Sequence, residues 1–178
     1  RGISGLGNEA ILVDSGTSSV SLANYLSAAT SGIVSATLSD GDMATLANLN
    51  ESDNAYTITI SDTSVDASAL NTLDSKTTVT INAAAVTTLS GSASDLNTAY
   101  SSLGISGLGN EAVTISDISI DASVLNTLDS NTTGVIDASA VTTLSGSVSA
   151  IKTAEFSTGI NNLLIPLITG PSGEEGSA

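Results

Sequence analysis

Ile60-Ser-Asp-Thr-Ser-Val-Asp-Ala-Ser-Ala-Leu-Asn-Thr-Leu-Asp74 returns, nearly unchanged, as Ile115-Ser-Asp-Ile-Ser-Ile-Asp-Ala-Ser-Val-Leu-Asn-Thr-Leu-Asp129. Val86-Thr-Thr-Leu-Ser-Gly-Ser92 recurs as Val141-Thr-Thr-Leu-Ser-Gly-Ser147 at the same shift, so the period is fixed. Self-similarity of this kind is the signature of stacked repeats, in which each unit buries its apolar face against the next. Further back, Gly2-Ile-Ser-Gly-Leu-Gly-Asn-Glu-Ala10 is repeated without change as Gly104-Ile-Ser-Gly-Leu-Gly-Asn-Glu-Ala112. The chain opens inside a repeat and is expected to be a fragment of a longer array.

Around these echoes the sequence alternates two periodicities. Short segments rich in Thr and β-branched residues read as strands: Ile11–Val13, Val34–Leu38, Tyr56–Ile60, Thr78–Ile81, Ala112–Ile115 and Gly134–Ile136, with Leu167-Ile168 a seventh. Taking Leu38, Ile60, Ile81, Ile115 and Ile136 as one equivalent position gives steps that are alike, except for a longer one from Ile81 to Ile115. Between the strands, Leu22 and Leu26, Leu46 and Leu49, Leu70 and Leu73, and Leu125 and Leu128 are spaced three or four apart, as on one side of a short helix. Asp66, Asp121 and Ser92 stand where N-caps are needed, and Asp95 falls in the first turn, facing the positive helix end. Such short helices form only when packing holds them.

These signals predict an α/β repeat solenoid with a parallel sheet on one side and short helices on the other, following the logic of leucine-rich repeats. A right-handed parallel β-helix is the alternative. Residues 1–168 make the repeat domain of six or seven coils, and Gly104–Asn110 is expected to be an ordered cap on the one long coil. Residues 169–178, rich in Gly, Ser and Pro, read as a linker.

Composition narrows the function. Three basic residues stand against 18 acidic ones, a net charge of −15, which removes the phosphate-neutralising side chains that nucleic-acid binding rests on. The longest apolar run, Leu163-Leu-Ile-Pro-Leu-Ile168, falls far short of the roughly 20 residues of a membrane helix, so no membrane insertion is expected. There is no Trp and no Cys, one Phe and three Tyr, so the core must be aliphatic. Without His or Cys, and with Lys76 and Lys152 on solvated positions, nucleophile and base pairs are lacking. Paired carboxylates remain, the minimum for glycoside hydrolysis, but Tyr25, Tyr56, Tyr100 and Phe156 are scattered and form no sugar platform. Tyr56 and Tyr100 are expected at coil edges, and the chain is read as no enzyme.

Two sets of residues remain as binding candidates. Thr37, Thr59, Thr80 and Thr114 precede the inward residue of their strands and are expected on the exposed sheet face, as a ladder. Stacked Thr is the pattern that flat ice-binding surfaces use, although Thr also has high strand propensity without any ligand. Asp40, Asp62 and Asp117 follow the strands, with Asp42, Asp66 and Asp121 close behind. Carboxylates at coil corners suit Ca²⁺, a hard cation that takes oxygen ligands, whereas single Asp residues there also bond local amides. The calcium-coil signature Gly-Gly-x-Gly-x-Asp is absent.

The wording Asp66–Asp74, Ala85–Gly91, Asp95-Leu-Asn-Thr-Ala-Tyr100 and Gly104–Ala112 resembles the tandem repeats of very large cell-surface proteins of marine cyanobacteria. The likeness covers most of the chain. It implies an extracellular, cell-surface address, a stalk or adhesin role, and neighbouring repeats or calcium-binding modules of the same protein as partners. Functional residues do not come with it. The function expected is therefore a structural spacer; a binding module for Ca²⁺, a glycan or a protein is the alternative. End-to-end self-association through open sheet edges is a further expectation.

Overall fold

The computed structural model describes residues 6–164. The strand Leu167-Ile168 and the linker 169–178 lie outside them. The described chain is mixed α/β, with twelve short strands and six helices. The helices are α1 (Val20–Ser27), α2 (Met43–Leu46), α3 (Ala67–Asp74), α4 (Ala93–Ser101), α5 (Ala122–Asn131) and α6 (Val148–Glu155). The strands are β1 (Ile11–Leu12), β2 (Val34–Thr37), β3 (Ala55–Thr57), β4 (Ser64–Asp66), β5 (Ile81–Asn82), β6 (Thr88–Gly91), β7 (Ile105–Ser106), β8 (Ala112–Ile115), β9 (Ser119–Asp121), β10 (Ile136–Asp137), β11 (Thr143–Ser145) and β12 (Ile160–Asn161).

Helix starts follow the side chains that can accept an orphan amide. Asp66 and Ser92 accept from Ala69 N and Asp95 N, and Asp121 accepts from Ser123 N; Ser19, Asp42 and Ser147 cap the other three helices in the same way. At α4 the Ser92 hydroxyl also donates to the Asp95 carboxylate at 2.6 Å, closing a reciprocal cap. The inward faces are Leu70 and Leu73 in α3 and Leu125 and Leu128 in α5, all buried. Leu22 departs from its expected place: it is 45% exposed on α1, and Ala23 and Leu26 carry the buried face.

All strand pairing among the described residues is parallel, each strand lying beside one that is 20 to 24 residues away along the chain. The step is shortest between β2 and β3, where Ser35 meets Ala55. That short step coincides with α2, a helix of four residues where the others have eight to ten. The register corrects the steps expected from sequence. Ile81 pairs with Ile105 rather than lying level with Ile115, and Val113 lies between Leu89 and Ile136, so the long coil does not exist. Gly104–Asn110 is therefore no cap: it carries β7, whose Ile105 is inside the core. The sheet expected on one side is instead divided into four, ordered β1-β2-β3, β4-β6-β8-β10-β12, β5-β7 and β9-β11. The strands divide in this way because the chain turns between them, as at Ser61-Asp-Thr63 between Ile60 and β4.

The core is one aliphatic cluster running from Val20 to Ile160. Apart from β3, which supplies Tyr56, each strand supplies one or two Val, Ile or Leu to it, and small residues, Ala67, Ala93 and Ala122, begin three of the helices where they meet the strands. A fully buried aliphatic side chain contributes about 1.5–3 kcal/mol, so an ordered interior is within reach without Trp or disulfides. Tyr56 is packed, as the sequence suggests, and deeply so. It sits in β3 at 1% exposure, the largest fully buried side chain, because strand alternation turns it inward with Ile58 and Ile60.

Candidate functional site

The three aspartates that the sequence nominates for Ca²⁺ share one geometry, and it is directed at protein. Asp40 Oδ2 accepts from the amide of Val20, Asp62 Oδ2 from that of Met43, and Asp117 Oδ2 from that of Ala93, each at 2.7 Å. Those amides belong to the first residues of α1, α2 and α4. Each aspartate thus lies 19 to 24 residues beyond the amide it serves and caps that helix from the next layer, where a carboxylate also meets the positive end of the helix. The structure does not bring the three together. Among the described residues no group of three or more acidic side chains gathers to hold a metal ion.

A complementary rule governs α3 and α5. Their own caps are Asp66 and Asp121, and the position that carries the second carboxylate elsewhere is Gly91 or Gly146. A Cβ at Gly146 would lie 3.2 Å from Asp121 Oδ2, and one at Gly91 would lie 3.6 Å from Ala67 N. Gly91 and Gly146 have positive φ, +146° and +127°, so the backbone there also favours glycine. Ser-capped α1 and α4 receive an aspartate from the next layer, Asp-capped α3 and α5 receive a glycine, and short α2 has both carboxylates, Asp42 and Asp62.

Among the capping aspartates, hydrogen bonds from Thr45 hold the Asp42 carboxyl below its usual value, those from Ser68 and the Ala69 amide do so for Asp66, and those from Ser123 for Asp121. Asp137, in β10, is lowered by Asn162 and by Ser139.

Thr37, Thr59, Thr80 and Thr114 are all exposed, as alternation requires, but they do not form one ladder. Thr37 stands beside Thr57, Thr59 beside Asn82, and Thr114 between Ser90 and Asp137. Thr80 reaches toward the carbonyl of Leu103. The expectation fails with the register it assumed, which set Thr37 level with Thr59 and Thr80 level with Thr114.

Two features escaped the sequence reading. Asn71, Asn97 and Asn126 each donate a side-chain amide to a carbonyl of the following helix: Asp95 at 2.9 Å, Val124 at 3.2 Å and Ala150 at 3.0 Å. Asn24 likewise donates to the carbonyl of Asn48, just beyond α2, at 2.7 Å. The signal was present as Leu-Asn-Thr at residues 70–72, 96–98 and 125–127. The second feature is Glu111, a carboxylate at 1% exposure. It accepts from the amides of Gly109 and Asn110 at 2.8 and 3.1 Å and from the Tyr100 hydroxyl at 3.0 Å. Burial, with the neighbouring Glu111 carboxylate, pushes the Tyr100 phenol up, so it remains a donor across the neutral range.

The one-turn α2 leaves a groove of about 260 Å³ lined by Met43, Leu46, Ala69, Leu73 and Lys76, and a polar hollow of about 260 Å³ lies among Ser27, Thr30, Ser31, Glu51 and Ser52. Neither joins a nucleophile to a base. No described helix is long and apolar enough to cross a membrane. Compared with known protein families, curated proteins and solved structures, the chain matches none of them.

Proposed function

We propose that the chain is a structural spacer: a solenoid segment of a large extracellular, adhesion-related protein whose work is reach, with neighbouring repeats as its partners. One observation carries this reading. The polar side chains that recur with the repeat, Asp40, Asp62, Asp117, Asn71, Asn97 and Asn126, are engaged in bonds to the adjacent layer. Parallel pairing at one-unit separation runs from β1 to β12 alongside them. Such nearest-neighbour stacks lengthen by addition and remain soluble under a strong net charge. Ca²⁺ binding by Asp40, Asp62 and Asp117 is not favoured, because each carboxylate is already engaged by a helix amide. Small-angle scattering on tandem copies tests the proposal. The longest dimension is expected to rise in proportion to copy number, and two copies no longer than one would overturn it.

A further inference from the structure

Gly2–Ala10 and Gly104–Ala112 have the same sequence, and downstream of them the structure repeats as well. Ile11 pairs with Val34 as Val113 pairs with Ile136, the same step along the chain in both. Ser31 N donates to Gly7 O at 3.0 Å as Thr133 N donates to Gly109 O at 2.8 Å. Gly32 N bonds Thr30 Oγ1 at 2.9 Å, and Gly134 N bonds Thr132 Oγ1 at 2.9 Å. The underside of β1 is thus built like the underside of β8.

The other edge differs. β8 lies between β10 and β6, whereas β1 is the outer strand of its sheet. On the β6 side, Leu89 pairs with Val113, Ala112 N donates to Thr87 O at 3.0 Å, Ser116 N donates to Gly91 O at 2.9 Å, and Tyr100 of α4 donates to Glu111. Glu111, Val113 and Ile115 are consequently 1% exposed. Their counterparts are open: Glu9 is exposed, and Ile11 and Val13 are half-buried.

We propose that the open edge of β1, with Glu9 and the inward Ile11 and Val13, is a docking site for a strand–helix unit of the β6–α4 pattern, Thr88 to Tyr100, whose tyrosine donates its hydroxyl to Glu9. The occupant is identified by the internal copy, which shows what covers this edge when it is covered. A unit of the β11–α6 pattern does not meet the requirement. At the shift that carries Ile60 onto Ile115, Asn97 and Tyr100 of α4 become Lys152 and Glu155 of α6, so such a unit would face a glutamate toward Glu9. Two carboxylates in a closing, water-poor contact repel where a phenol and a carboxylate bond.

The inference adds a joint to the spacer but rests on the duplicated geometry, and its test is separate from overall length. A copy of Ser64–Leu103 is joined directly to Gly2 in place of Arg1, which reproduces the natural Leu103–Gly104 junction. Amide hydrogen exchange is read at residues 10–14. Protection is expected to rise about tenfold or more, as an edge strand becomes an inner one. Replacing the tyrosine of the added unit by Phe, or Glu9→Ala, is expected to remove most of that gain, while the melting temperature of the Glu9→Ala chain alone stays unchanged. Exchange that is unaltered by the added unit, or a gain indifferent to both substitutions, would overturn the site. Sedimentation of the unmodified chain is expected to show a monomer, and growth with concentration would overturn the role given to the tyrosine.

Discussion

Glu9 and Glu111 occupy the same word of sequence, fold the same local turn, and end in opposite surroundings. Gly7 N donates to Glu9 Oε2 at 2.5 Å, and Gly109 N donates to Glu111 Oε2 at 2.8 Å, so the turn is written locally. Burial is not. Glu111 is covered by Tyr100 from α4, eleven residues earlier in the chain, and Glu9 is covered by nothing in the described structure. Local sequence sets which amide each carboxylate holds, whereas the neighbouring layer sets how much that bond stabilises. A hydrogen bond in water is exchanged for another, but the same bond under a protein layer leaves unpaired groups behind when it is lost.

The two sites should part most sharply at the glycines beneath them. A Cβ on Gly134 would collide with the carbonyl oxygen of Glu111, and one on Gly32 would lie 2.5 Å from those of Asn8 and Glu9. Gly134→Ala is expected to destabilise by about 3 kcal/mol, since β8 is held on both sides, and Gly32→Ala by about 1 kcal/mol, since β1 can retreat. Urea unfolding of the two variants measures the difference, and equal losses would contradict it. Next in size, Glu111→Ala leaves two amides and the Tyr100 hydroxyl without a partner and should cost about 2–3 kcal/mol, against at most about 0.5 kcal/mol for Glu9→Ala. Paired melting curves decide this.

Removal of an interlayer cap is smaller. Asp117→Ala is expected to cost about 1 kcal/mol, because α4 keeps Ser92 and loses only the second acceptor. Exchange at the Ala93 amide should rise with it, and no change at that amide would refute the assignment. The smallest effect is that of acid. Asp42, Asp66, Asp121 and Asp137 have native values below the ordinary one of 3.8. Their contribution is complete above that value and is lost as pH falls through the lowered native range. Stability is therefore expected to be flat between pH 7 and 5 and to decline below 4, with Asp66→Asn reducing the decline.

What the sequence disclosed and what it hid divide along the same line as the two glutamates. Helix positions were legible because Asp66, Ser92 and Asp121 act within three residues of themselves. The strands Val34–Leu38 and Ala112–Ile115 were legible because they alternate. The strands β4, β6, β9 and β11 were missed because each offers a single inward residue, Val65, Leu89, Ile120 or Leu144, shortly before a helix cap. Register was misread for a related reason: Ile81 has two eligible partners by sequence, Ile105 and Ile115, and only the path of the chain through α4 selects the first. The roles of Asp40, Asp62 and Asp117 depend on a helix that begins 19 to 24 residues earlier, so a motif sought among neighbours could not reveal them.

The alternation of Asp with Gly, Ser with Asp, and Asp with Gly at the starts of α3, α4 and α5 bears on how similar stretches of the chain find their proper neighbours as it folds. A unit that slid by one place would bring Asp117 to the start of α3, where Asp66 already stands, and would leave α4 facing a glycine with its first amide bare. One arrangement crowds two negative charges and the other strands a donor. At α3, α4 and α5 the helix start therefore works as a check on the order of assembly, tallying one carboxylate where the correct neighbour has arrived and two or none where it has not.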